Sequence, residues 1–168
     1  MWYVIQVKTG TEERIKKQCE SIIQKEILIS CILPYYEEQK KYQGTWHVRR
    51  KILFPGYVFL VSECFEELFE SLKNVIGLTK LIGTGREIVP LTEAEVNLLK
   101  RLTKDDHVVE MSTGIVINGK VRVISGPLED MEGYIKRIDR HKRKAVLTIE
   151  MFGRTVEMQV GLEIIEKI

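Results

Sequence analysis

The densest chemistry in this 168-residue chain is the run KRIDRHKRK, where Lys136, Arg137, Arg140, Lys142, Arg143 and Lys144 stand against one acid, Asp139. His141 lies inside the run. Cations at that density suit phosphate backbones, because several of them meeting a charged polymer release counterions and gain an affinity that falls steeply with salt. A second reading stays open here: a solvated β-hairpin tip, kept basic for solubility and against edge-to-edge pairing. Total charge does not decide, since Lys and Arg number 26 against 24 Asp and Glu, so attraction to nucleic acid must come from local clustering.

A second constellation is RRKILFPGYVFL, a basic approach at Arg49 to Lys51 joined to an aromatic strand carrying Phe54, Tyr57 and Phe59. Strand alternation sets Tyr57 and Phe59 on one face and Val58 on the other. Such a face can stack bases, seat an apolar element of a protein partner, or serve as core, and the spacing does not separate the three. GTGREIVP, residues 83 to 90, has glycines but neither the phosphate-loop pattern nor a helix directly after it, and reads as a turn. His47, His107 and His141 are far apart in polar sequence, and Cys19, Cys31 and Cys64 form no C-x-x-C pair. Neither a metal site nor a Cys-His nucleophile has support. Glu37-Glu38 and Asp105-Asp106 are adjacent rather than convergent, so no catalytic residue and no cofactor is expected. Three unpatterned cysteines fit a reducing cytoplasm, and no run approaches the roughly 20 apolar residues of a membrane span. No export signal is read at MWYVIQVKTG.

These residues need elements to hold them. WYVIQV reads as a strand over residues 2 to 7, and Thr9 with Glu12 has capping-box spacing ahead of a helix whose Ile15, Cys19, Ile22 and Ile23 recur at helical period. Residues 31 to 62 hold two or three strands with a turn at Gly44, Phe65, Leu68, Phe69 and Leu72 mark a second helix, and LTKLIG is a short strand. Thr92 with Glu95 caps a third helix. The polar stretch after Leu102 marks a boundary, and the remaining residues read as five short strands with turns at Gly126-Pro127 and Gly153, a small barrel. The order is α+β followed by all-β.

In order and spacing, WYVIQVKTGTE, RRKILFPGYVFL, VPLTEAEV, KVRVISGPLEDMEGYIKRID and MFGRTVEMQVGLEIIEKI resemble the NusG family of transcription elongation factors over nearly the whole chain. The resemblance implies an α+β NusG-like amino-terminal domain (residues 1–103, an antiparallel sheet with helices), a linker (104–111) and a small all-β SH3-like KOW barrel (112–168). It implies that Phe54 and Tyr57, with Leu81 nearby, grip the clamp helices of RNA polymerase. Lys8, Arg14, Lys17 and Asn74 would then lie near upstream or non-template DNA. Where relatives often carry an Asn-Thr pair, this chain has Asn74-Val75, which argues against sequence-stimulated pausing. The basic KOW hairpin looks like the LoaP-type antiterminator branch, which implies a monomeric, non-enzymatic cytoplasmic factor whose barrel binds an element of the nascent RNA leader. The RNA-binding residues would be Lys136, Arg137, Arg140, His141, Lys142, Arg143 and Lys144, with Arg154 from the next hairpin beside them. The rival expectation is a general NusG-type elongation factor whose barrel binds ribosome or termination factor.

Overall fold

The computed structural model of the chain describes residues 1–75, 78–81, 83–84, 87–88 and 90–168, with side chains described outside 76–89. In chain order the elements are β1 (Trp2–Val7), α1 (Glu12–Ile22), β2 (Ser30–Ile32), β3 (Tyr35–Tyr42), β4 (Thr45–Ile52), β5 (Tyr57–Val61), α2 (Phe65–Leu72), β6 (Leu78–Leu81), β7 (Gly83–Thr84), β8 (Glu87–Ile88), α3 (Glu93–Thr103), β9 (Val108–Val109), β10 (Ser112–Ile117), β11 (Lys120–Ser125), β12 (Ile135–Asp139), β13 (Lys144–Met151) and β14 (Arg154–Lys167). They group into two units, residues 1–33 with 54–96 and residues 34–53 with 97–168.

The first unit is built on an antiparallel sheet in the order β2-β5-β1-β6. Helix α1 packs against β5, and alternation does not leave one face of the strand to solvent: Val58, Phe59 and Leu60 are all buried. Helix α1 buries Ile15 and Cys19, and α2 buries Leu68 and Leu72, each pair at i and i+4 on one face. Each fully buried aliphatic of this kind contributes about 1.5–3 kcal/mol relative to exposure. At Ile22 the helix ends, exposing that side chain, and Ile23 turns extended and takes the buried position. The Thr92–Glu95 capping box before α3 forms in both directions, at 3.0 and 3.2 Å. The Thr9–Glu12 box does not form: Thr11 precedes the helix, and Glu12 is turned inward and 1% exposed. The segment 83–90 contains the two-strand ladder β7–β8, while residues 85, 86 and 89 lie outside the described residues.

In the second unit, β3 and β4 form a hairpin closed at Gln43-Gly44, both left-handed at φ 50 and 79, the pattern of a type I′ turn whose twist matches paired strands. Strand β9 pairs parallel to β3 through Val108 and Val109, both buried, so the segment expected as a linker contains a strand. Beside it runs a five-stranded sheet in the order β11-β10-β14-β13-β12. Strand β14 joins its halves, antiparallel to β13 over its first part and parallel to β10 over its last. Among the described residues no ladder joins β11 to β12. Leu128, Met131, Leu147, Ile149, Met158, Val160 and Leu162 fill this sheet's core. Gly161 is where β14 meets β3: a Cβ there would sit 2.6 Å from the Glu37 carbonyl oxygen and collide with the Met111 sulfur. No helix among the described residues is long and apolar enough to cross a membrane.

Candidate nucleic-acid interface

The acids around the six cations of the basic run sort them into three groups. On β12, Lys136 and Arg137 both pair with Glu157, Arg137 at 3.6 Å. The hydrogen bond and charge of Lys136, aided by Arg137, hold the Glu157 carboxyl below its ordinary value. At the tip, the Lys142 amide donates to Asp139 Oδ1 at 3.0 Å, which closes the loop and leaves Arg140, His141 and Lys142 exposed. Among the described residues Arg140 and Lys142 make no ion pair.

Arg143 and Lys144 turn back onto the β3–β4 hairpin. Arg143 takes a left-handed backbone, φ 53, and its guanidinium stacks over the Trp46 ring at 3.8 Å. It also donates to Gln39 Oε1 at 2.7 Å and pairs with Glu163 at 3.5 Å. Lys144 Nζ lies 2.9 Å from Glu38 Oε1, a carboxylate whose side chain is only 4% exposed. Glu38 also faces Arg49, directly opposite in the ladder, at 3.3 Å. Lys51, two residues on, stands 3.5 Å from the other oxygen, an electrostatic contact longer than a good hydrogen bond. Burial works to raise the Glu38 carboxyl, but hydrogen bonds from Lys144 and Arg49 and the charges of Lys144 and Lys51 outweigh it and hold the carboxyl low. Next to it the Tyr36 hydroxyl, pushed up to about 12 by burial and then by Glu38, stays a donor toward Gln159 at 3.4 Å.

The tip also borders a hollow lined by Arg137, Asp139, Arg140, His141, Lys142 and Lys144 over Ile138 and Val146. Arg154 is exposed at the other end of β13, paired with Met151. Seven residues of strand separate Met151 from Lys144, about 23 Å at roughly 3.3 Å per residue. The structure therefore brings Arg140, His141 and Lys142 together at the tip, engages Lys136 and Arg137 in ion pairs with Glu157, turns Arg143 and Lys144 onto the β3–β4 hairpin, and leaves Arg154 remote.

In the first unit, Phe54 is 2% exposed and packs on Phe59 with ring centroids 5.7 Å apart, whereas Tyr57 is half-buried. The turn between them is held by Glu12, whose two oxygens accept from the amides of Gly10 (2.6 Å) and Gly56 (3.0 Å). Gly56 has φ 90, a backbone that only glycine holds without strain, and its carbonyl accepts from the Val7 amide at 2.8 Å. Leu81 ends β6 opposite Ile5, and its side chain lies outside the described residues. Lys8, Arg14, Lys17 and Asn74 are exposed, the first three around α1 and Asn74 just after α2. Glu12, Glu38, Gln39 and Trp46 are the residues that sequence reasoning missed. Their partners lie up to a hundred residues away, and only the charge of the run hinted that acids must answer it. Among the described residues no group of His, Cys, Asp or Glu is arranged to hold a metal ion.

Residues 1–100 match the family model described as transcription termination factor NusG. Along 175 aligned residues the chain is 28% identical to the transcription termination/antitermination protein NusG of Bacillus subtilis (strain 168), covering 99% of this chain and 98% of that one. It is 27% identical to the protein of the same name from Staphylococcus carnosus (strain TM300), covering 99% and 95%. Its fold is similar to the solved structure "Domain interaction in Thermotoga maritima NusG", with TM-score 0.60 and 25% identity over 97% of this chain and 93% of that chain.

Proposed function

The chain belongs to the NusG family of transcription termination/antitermination factors, which are not enzymes, and from that premise we propose that it is a processive antiterminator holding RNA polymerase through its amino-terminal part and nascent RNA through its carboxyl-terminal part. The observation that carries the RNA half is the tip Arg140-His141-Lys142. Asp139 is engaged by the loop backbone, Glu157 by Lys136 and Arg137, and Glu38 by Lys144, so the tip keeps cations for an external anion. Unpaired cations on a turn are what counterion release requires. Phosphate contacts alone are blind to sequence, so choice of transcript falls to His141, exposed between two cations and free to stack on a base.

In this reading residues 1–103 are the polymerase-binding domain, 104–111 the connection and 112–168 a KOW module; the five strands β10 to β14 support the SH3-like barrel, and the basic hairpin supports the LoaP-type branch. Tyr57 offers the clamp helices a partly exposed aromatic edge and Phe54 backs it from the core, while Leu81 is assigned to the same contact by the family resemblance alone. Lys8, Arg14, Lys17 and Asn74 face upstream or non-template DNA. The protein works as a monomer in the cytoplasm, where its three cysteines stay reduced. One observation favours the rival, a general elongation factor whose KOW module binds proteins: Ile124 and Ile165 are exposed on the same sheet.

The test is a gel shift of the full chain with the structured leader of an adjacent operon and with a scrambled RNA, at two salt concentrations. Arg140→Ala with Lys142→Ala should weaken binding and flatten the log-log salt slope by about 0.7 to 0.9 per lost phosphate contact. His141→Ala should narrow the difference between cognate and scrambled RNA with little change in slope. Absence of RNA binding by the parent chain would return the carboxyl-terminal part to the protein-binding rival.

A further inference from the structure

We propose that the β3–β4 hairpin supplies the second wall of the RNA site, with Lys40 and Lys41 binding the phosphate backbone across a groove from His141 and Lys142. The proposal rests on the RNA reading above and adds residues that lie about a hundred positions upstream of the basic run. Both walls belong to the second unit. The groove is lined by six Lys or Arg side chains, among them Lys40, Lys41 and Lys142, and by the single acid Glu38, with Trp46 on its surface.

The interactions of the run explain how the groove is made. Arg143, stacked on Trp46 and bonded to Gln39, and Lys144, paired with Glu38, are struts that dock the β12–β13 loop on the hairpin. Glu38, the groove's acid, is already answered by Lys144, Arg49 and Lys51. What remains uncompensated is Lys40 and Lys41 on one wall and Lys142 on the other: all three are exposed and, among the described residues, without an ion pair. Ladder register puts Lys40 opposite His47 and Lys41 opposite Trp46, so no carboxylate faces either lysine across the hairpin. A cationic channel with an aromatic side chain on its surface and no spare acid fits a phosphodiester chain with a base beside it.

The experiment uses the full chain and the same structured leader RNA. Lys40→Ala with Lys41→Ala should lower affinity about 25- to 60-fold at 0.1 M salt and flatten the log-log slope by about 1.4 to 1.8, the counterion arithmetic for two lost contacts. Lys25→Ala, an exposed charge in the first unit, controls for net charge and should change little. In a Trp2→Phe background the remaining Trp46 should report RNA binding as a fluorescence change. If Lys40→Ala/Lys41→Ala keeps the parent affinity and slope while Arg140→Ala/Lys142→Ala loses both, the tip alone holds RNA: this proposal is overturned and the antiterminator reading stands. If the parent binds no RNA, both fall together.

Discussion

Replacing Glu38 by Gln keeps the shape of the side chain and removes the charge on which Lys144, Arg49 and Lys51 converge. Breaking a buried ion pair typically costs about 3–5 kcal/mol because a charge is left uncompensated. Here only the carboxylate is fully buried. The partners' side chains are 18% (Lys144), 42% (Arg49) and 47% (Lys51) exposed, so water recovers part of their charge once Glu38 is neutral. A loss of about 2–3 kcal/mol follows, near the value of one charge-assisted hydrogen bond. In a chain of this size that lowers Tm by about 4–12 °C. Acid dependence sharpens the test. The folded carboxyl is held below its ordinary 4.5, so acidification protonates the unfolded chain first. The stabilisation is therefore complete at neutral pH, begins to fall as pH drops through about 4.5, and is gone once the folded carboxyl is protonated. Trp46 fluorescence in a Trp2→Phe background follows the unit that contains Glu38. Glu38→Gln should melt lower at pH 7 and converge on the parent at a pH low enough to protonate the folded carboxyl. Superimposable melts at both pH values would refute the argument that this carboxylate ties the basic loop to the hairpin.

Local signals were legible where local partners decide the structure. The Thr92–Glu95 spacing named a capping box, and both its hydrogen bonds are there. Thr9–Glu12 has the same spacing and a different fate, because Gly56, 44 residues on, offers an amide that a buried carboxylate can take. Sequence spacing does not reveal that competitor. The same limit governs β5. Alternation placed Tyr57 and Phe59 on one face, but whether the other face is wet depends on what packs over the sheet, and with α1 against β5 Val58 is buried as fully as Phe59. Charge density in the basic run was visible from composition; its division of labour was not, since Glu38, Gln39, Trp46, Glu157 and Glu163 are brought to it only by the ladders. A cluster of like charges in sequence thus announces that a binding surface or a set of struts is present, and the positions of the answering acids decide which residue is which.

Two further substitutions test the two units separately. Gly161→Ala drives a methyl against the Glu37 carbonyl and the Met111 thioether, so β14 must part from β3; a loss of about 1–3 kcal/mol is expected from overpacking, read by the same Trp46 melt, and an unchanged melt would mean that the two strands are not locked there. Tyr57→Ala tests the polymerase contact. Phe54 is unsuited to that purpose, because truncating an aromatic that is 2% exposed costs about 3–5 kcal/mol and confounds lost binding with lost structure. Tyr57, only half-buried, should cost less than that, and the Gly56 turn beside it is held independently by Glu12. A Tyr57→Ala chain should therefore keep its melting profile and its RNA affinity while capturing less RNA polymerase in a pull-down. Full capture by the folded variant would remove Tyr57 from the contact and leave the aromatic strand as core.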